Sequence, residues 1–367
     1  MSKRSLERLR ALCLTPAPSG FERDIAVKLK AYLTPFCDGI ETDNVGNVVG
    51  KICGSDSSLE PVLINAHMDR IGVIVSNITD DGYLRLEKIG WLNDKVMPGL
   101  NLVIRNRRRT EWLPVTVGTK CSHLMTPEEQ KMAQPLGELM IDSGCDSAEA
   151  VRARGIEIGS PGVYMPTFTR ITETRVCATA LDNCGSVAAL IGIAEILNGS
   201  RPIRDVYVAG NVWEEYNQRG AALIVNRLRP AAVVSMDMLL AGDTPDTHGH
   251  FCGALGKGPM VSWFNFSDRP CNGTIAHEGL YDLMEETAEE LGTGLQRYVC
   301  VGGLGDNAYS QLAGDGPACI EIGAPVRYAH SSGEVADIAD IDNLARLVAG
   351  AVRKLGPGFC RKRYELD

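Results

Sequence analysis

Beyond about residue 170 the chain alternates between two kinds of apolar segment. Short strand-like runs, "DVYVAGNV", "AAVVSMDM" and "ACIEIGA", are separated by longer helical ones, "SVAALIGIAEIL" (186–197), "EGLYDLMEETAEEL" and "IDNLARLVAGAVRKL". The 186–197 segment is apolar on nearly every side, which predicts a helix buried all round. Strands that alternate with helices predict an α/β fold: a mostly parallel sheet flanked by helices on both faces. "PVLINAH", before residue 70, has the same texture and belongs to the same unit.

Residues 71–169 read differently. "IGVIVSNITDDGYLRLEKI" predicts a hairpin around Asp80-Asp81-Gly82, and "NLVIRN" with "LPVTVG" predicts another pair. Arg107–Arg109 sit at the turn of that second pair. One short helix, from Ser147 to Arg154, is expected before "GIEIGSPGVYM". The chain therefore divides into an α/β domain over 1–70 and 170–367 and an inserted β-rich domain over 71–169. Ahead of the first strands, residues 5–34 predict two helices broken at "TPAPSG", with Ser19 and Glu22 as a capping box for the second.

Charge narrows the partners. The 367 residues carry 37 basic and 46 acidic side chains, a net charge of -9. Such a balance disfavours nucleic acid and anionic membrane as partners. No run of about 18 apolar residues occurs, so no membrane span is expected. The N-terminal leucines Leu6, Leu9, Leu12 and Leu14 are interrupted by charge, which describes an amphipathic helix rather than a signal peptide. The 12 cysteines form no C-x-x-C pair, and several, such as Cys53, Cys177 and Cys319, lie in apolar segments. They read as reduced core thiols of a cytoplasmic protein.

The chemistry gathers at strand ends. His67 and Asp69 close "VLINAHMD"; Asp182 and Asn183 follow "VCATA"; Glu214 and Glu215 close "VYVAGNVWEE"; Asp237 closes "AVVSMD"; His330 follows "ACIEIGAPVRYA". Taken singly, Asp182 reads as a helix cap and Asp237 as a turn residue. Taken together they are five strand ends that each deliver His, Asp or Glu, and open α/β sheets bind ligands at that edge. The adjacent carboxylates Glu214 and Glu215, taken alone, read as a solvated loop; closing an apolar strand at this edge, they point instead to a waiting cation. Imidazole with carboxylate suits zinc, cobalt or manganese. Two histidines with this many carboxylates suit two ions about 3.5–4 Å apart that share a carboxylate, activate water and clamp a carbonyl oxygen.

Other motifs fail. "GALGKGP" breaks the P-loop pattern, "HEGLY" lacks the second histidine of H-E-x-x-H, and "GGLGDNA" is glycine-rich without a dinucleotide fingerprint. No G-x-S-x-G elbow occurs. His123, His248 and His250 read as surface or structural residues. A glycosidase would need two metal-free carboxylates about 5–9.5 Å apart, whereas these come with histidines.

The order of "SGFERDIA", "AHMDRIGVIV", "VGTKCSHLMTPEE", "LMIDSG", "ALDNCG", "WEEYNQRGA", "DTPDTH", "LGKGP" and "PVRYAHSSGEV" resembles the co-catalytic metallo-aminopeptidases along almost the whole chain. That family includes glutamyl, deblocking and tetrahedral aminopeptidases, and some members carry an endoglucanase label. The resemblance implies a zinc-exopeptidase-like fold and a two-metal aminopeptidase that hydrolyses N-terminal residues from peptides with water activated between the ions. It implies that His67, Asp182 and Asp237 hold one ion and Asp182, Glu215 and His330 the other. Glu214 is then the general base, and Asp69 orients His67. It also implies that the insert is a dimerisation domain and that homo-oligomers range from dimer to dodecamer.

Three departures stand out. Arg70 replaces the family's Glu, Asp182-Asn183-Cys184 replaces Asp-Asp-Arg, and "GGLGDNA" replaces a Gly-Thr-Asp loop while Asp306 keeps its acid. They lie beside the implied ligands in sequence and bear on substrate preference rather than on metal binding. Two rival readings are a metal-dependent deacylase of small N-acyl substrates and a metal-binding scaffold without catalysis; the intact Glu214 argues against the scaffold.

Overall fold

The computed structural model describes residues 2–250, 252–267 and 272–364. One mixed sheet runs in the order Gly39–Thr42, Val48–Ile52, Val206–Asn211, Val62–His67, Ala232–Leu240, Ala318–Arg327, Glu334–Asp337, Arg175–Ala178, Phe168–Arg170. Its centre is parallel: Val206–Asn211, Val62–His67, Ala232–Leu240 and Ala318–Arg327 pair in one direction. Arg175–Ala178 is antiparallel to Glu334–Asp337, which is antiparallel to Ala318–Arg327, so it too points the same way. The carboxyl ends of all five therefore meet at one edge.

Strand periodicity sorts the two faces. Val62 and Ile64, Val206 and Val208, and Ala232 and Val234 point into the large core, with helices Lys3–Cys13, Arg23–Leu33, Leu181–Gly199, Glu278–Leu291 and Ile338–Arg353. Leu181–Gly199 is buried along most of its length, as its apolar circumference requires. Leu63, Val233 and Cys319 point the other way, where Ile224 and Val225 of helix Gly220–Leu228 cover them. Continuing along that face in steps of two gives Asn65 and His67, Ser235 and Asp237, and Glu321, buried or half-buried polar groups beyond the part that this helix covers.

Residues 72–164 contain the six strands of a closed barrel, with hairpins Gly72–Ile78/Tyr83–Ile89 and Asn101–Arg105/Trp112–Val117. The barrel has a separate apolar core that includes Val73, Leu84, Leu86, Ile104, Val117 and Ile141. Helix Ala148–Arg154 is capped by Ser147, as the sequence predicts.

Several expectations need correction. Ser19 caps nothing: helix Arg23–Leu33 starts after Glu22, whose carboxylate reaches back to the Gly20 amide at 2.6 Å. Asp237 does not close its strand, which runs three residues further to Leu240. Cysteines are not uniformly core thiols: Cys13, Cys184, Cys300 and Cys319 are buried, but Cys121 and Cys252 are exposed. Cys271 lies outside the described residues. Strands Met260–Ser267, Asn272–Ile275 and Gln296–Val301 were not foreseen; they extend the sheet sideways from Ala318–Arg327. Among the described residues no helix is long and apolar enough to cross a membrane.

Candidate metal centre

The five expected strand ends converge. His67 Nε2 lies 3.3 Å from Asp182 Oδ1 and 3.4 Å from Asp237 Oδ1. His330 Nε2 lies 3.7 Å from Asp182 Oδ2 and 3.3 Å from Glu215 Oε2. Two trios of donor atoms result, His67/Asp182/Asp237 and Asp182/Glu215/His330, each within 4.8 Å. Asp182 belongs to both and turns a different oxygen to each histidine. The histidines fit a cation on independent grounds. His67 Nδ1 is 3.1 Å from the Asp69 carbonyl oxygen and His330 Nδ1 is 3.2 Å from the Trp91 carbonyl oxygen. A carbonyl only accepts, so each Nδ1 carries a hydrogen and Nε2 is the ring atom turned toward the carboxylate oxygens, the orientation in which a histidine offers Nε2 to a metal ion.

The electrostatics point the same way. Burial pushes the Glu214 and Glu215 carboxyls well above the usual carboxylate range, and repulsion by neighbouring acids adds to it. Burial works against a charge on His67, but Glu214 and Asp237 outweigh it and hold the ring's pKa well up. Asp237 is raised by burial and by Asp182. This is the behaviour of a site short of positive charge, and imidazole plus carboxylate donors suit a divalent ion.

The approach to the site is unusual backbone. Ala180, Trp213 and His330 have φ of 59°, 66° and 63°, a region that disfavours non-glycine residues. Each sits at or just before a site residue, as strained positions do where the surroundings over-determine them. The Asp182–Asn183 peptide is cis.

Asp69 lies deeper than its expected task suggests. Its carboxylate is 3.6 Å from His67 Nδ1, and its two oxygens accept the backbone amides of Glu214 (3.1 Å) and Glu215 (3.0 Å). It therefore shapes the turn that presents both glutamates. Glu214 joins neither trio: Oε2 is 3.8 Å from His67 Nε2, and buried Oε1 has no partner. His123, His248 and His250 are all exposed.

Sequence reasoning missed Glu334. Buried to 2% exposure, its Oε2 accepts the Asp182 amide and its Oε1 the His330 amide, both at 2.9 Å. The signal was present as the first of two acids in "SSGEVAD", but nothing in the sequence says what it meets. Two of the departures from the family pattern touch each other: Arg70 donates to the Cys13 and Leu12 carbonyls, at 3.0 and 3.3 Å, and lies 3.4 Å from Cys184 Sγ. The cation thus sits on the strand side and ties the end of the first helix to the floor of the site. Asp306 accepts from Asn65 (3.1 Å) and Asn211 (2.8 Å) behind His67.

Beside the metal-type residues opens a cavity of about 790 Å³. It is bounded by the loop after Glu215, by the end of strand Ala232–Leu240 and by the unforeseen strands, with Trp91 of the barrel at its edge.

Parallel strands that bring histidine and carboxylate clusters to the rim of one cavity define an α/β protein built around a metal centre. Residues 46–347 match the family model described as M42 glutamyl aminopeptidase, and the chain belongs to that family of metallopeptidases. It is a peptide-bond hydrolase of the aminopeptidase kind, acting at peptide N-termini. Putative aminopeptidase SgcX of Escherichia coli (strain K12) is 29% identical over 346 residues, 93% of this chain and 91% of that one. Aminopeptidase APDkam598 from the archaeon Desulfurococcus kamchatkensis superposes with a TM-score of 0.90 at 29% identity, covering 96% of each chain. The Pyrococcus horikoshii TET1 peptidase, described as able to assemble into a tetrahedron or a large octahedral shell, gives 0.81 at 26% identity over 96% of this chain and 100% of its own.

Proposed function

We propose that this aminopeptidase works with two divalent ions per chain, zinc, cobalt or manganese, one held by His67, Asp182 and Asp237 and the other by Asp182, Glu215 and His330. The observation that carries the reading is Asp182, whose two oxygens face two different histidine Nε2 atoms. When bound, such a pair supplies activation of water and polarisation of the scissile carbonyl.

The chain's own residues do the rest. Asp69 and Glu334 fix the backbone of three ligand positions, Asp182, Glu215 and His330, and of Glu214. Glu214, buried beside His67 but outside both trios, takes the proton of the attacking water and delivers it to the departing amine nitrogen. The cavity receives the N-terminal side chain. Its peptide substrates, a cytoplasmic location and assembly of the chain into homo-oligomers through the barrel complete the reading; the tetrahedral or octahedral assembly described for the TET1 peptidase supports the last.

A panel of aminoacyl-anilides and N-acyl amino acids, each with and without chelator, tests it. Hydrolysis of anilides, abolished by chelator and restored by zinc, cobalt or manganese, is expected. Turnover confined to N-acyl amino acids would replace the aminopeptidase with a deacylase.

A further inference from the structure

The cavity floor holds an acid that no step above uses. Glu321 is 2% exposed, lines the cavity, and sits on the same sheet face as Asp237, one alternate position earlier on the neighbouring strand. Among the described residues its carboxylate accepts one hydrogen bond, from Asn265 Nδ2 to Oε2 at 3.3 Å. Asn265, itself 5% exposed, leaves Oδ1 without a partner. Gly305 makes room for the other oxygen: a Cβ there would lie 2.2 Å from Glu321 Oε1. Apolar parts of the cavity wall come from Leu239 and Tyr298. Among the described residues that line it, the one lysine or arginine is Arg219, exposed at the rim and stacked over Tyr309 at 5.7 Å.

A buried carboxylate without a cation is unfavourable, and here Asn265 holds it at the floor of a cavity open to substrate. We propose that Glu321, with Asn265, selects substrates whose N-terminal side chain ends in a primary ammonium, as lysine's does. The methylene stem packs against Leu239 and Tyr298. The ammonium donates to the Glu321 carboxylate, which Asn265 Nδ2 holds in place. Acidic side chains are turned away by the same carboxylate. In the empty cavity burial pushes Glu321 up to about 8, as expected for an acid whose counter-ion arrives with the ligand. This inference rests on the aminopeptidase reading for its substrate, not for its binding site.

Two measurements on the metal-loaded, full-length protein decide it. The first compares kcat/KM for lysyl-, norleucyl-, glutaminyl- and glutamyl-p-nitroanilides in wild type and Glu321→Gln. Wild type should favour lysyl over norleucyl by roughly tenfold or more, the range of a charge-assisted hydrogen bond, and Glu321→Gln should bring the ratio to about one. Norleucyl turnover should change less than about threefold, because the interaction removed is one that norleucine never made. A ratio that Glu321→Gln leaves unmoved, or a wild type that prefers norleucyl, glutaminyl or glutamyl substrates, overturns the subsite and leaves the aminopeptidase standing. The second is calorimetric binding of lysinamide and norleucinamide. If no anilide is cleaved, the peptidase reading fails, yet tighter lysinamide binding that Glu321→Gln abolishes still supports the subsite. Equal binding of the two amides by wild type overturns it.

Discussion

Glu334 makes two hydrogen bonds that reach both donor trios. Its oxygens hold the backbone of Asp182, common to both, and of His330, which belongs to one. Glu334→Gln can accept through one atom only, so one amide goes unpaired inside the protein. Groups that orient ligands typically contribute about 10- to 100-fold to metal affinity. Zinc titration of the folded variant should show a loss of that size, and unchanged affinity at both sites would remove this role from Glu334. Asp182→Ala is the harsher change. It should empty both positions while His67→Ala and His330→Ala each empty one; elemental analysis showing two ions in Asp182→Ala would rule out a shared carboxylate. The donor atoms were legible in sequence because histidine and carboxylate at strand ends have few other reasons to recur. The supports were not, because Glu334 and Asp69 act on backbone amides that only the folded chain brings to them.

Elements were legible where their period was clean. The buried helix Leu181–Gly199, the parallel centre of the sheet and the two hairpins of residues 72–117 all carry unbroken patterns. Met260–Ser267 and Gln296–Val301 carry mixed ones: Trp263, Val299 and Val301 face solvent while Asn265 and Ser267 turn inward. Apolar-out and polar-in is the reverse of an ordinary strand, and these strands wall the cavity. The pattern therefore failed at the elements that bear on specificity. The barrel is not a bystander either, since the Trp91 carbonyl meets His330 Nδ1. Deleting residues 72–168 should leave the large core folded, because the barrel's apolar cluster is separate. It should disperse the assembly and also weaken the metal position held by His330. Light scattering and zinc titration check the two effects; a deletion variant that keeps the full oligomer would contradict the proposed role of the barrel.

At the scale of the whole molecule, the site concentrates buried acid in a chain already at -9. Burial lifts Asp306 to about 7 and Glu321 to about 8. A carboxyl whose pKa is higher folded than unfolded makes the folded state bind more protons, so stability falls as pH rises between the two values. The metal-free protein should therefore lose Tm from roughly pH 5 to 8, less steeply in Glu321→Gln, and a Tm that rises across that interval would contradict the assignment. Bound cations should flatten the slope by stabilising the ionised carboxylates. The account stands most directly on Glu214, the acid that lies among the ligands without joining them. Glu214→Gln keeps size and polarity but accepts no proton. Metal content and turnover of the best aminoacyl-anilide, measured together under saturating zinc, should show two ions per chain retained and a rate lower by roughly 10²- to 10⁴-fold. A variant that loses metal yet keeps its turnover would contradict the account.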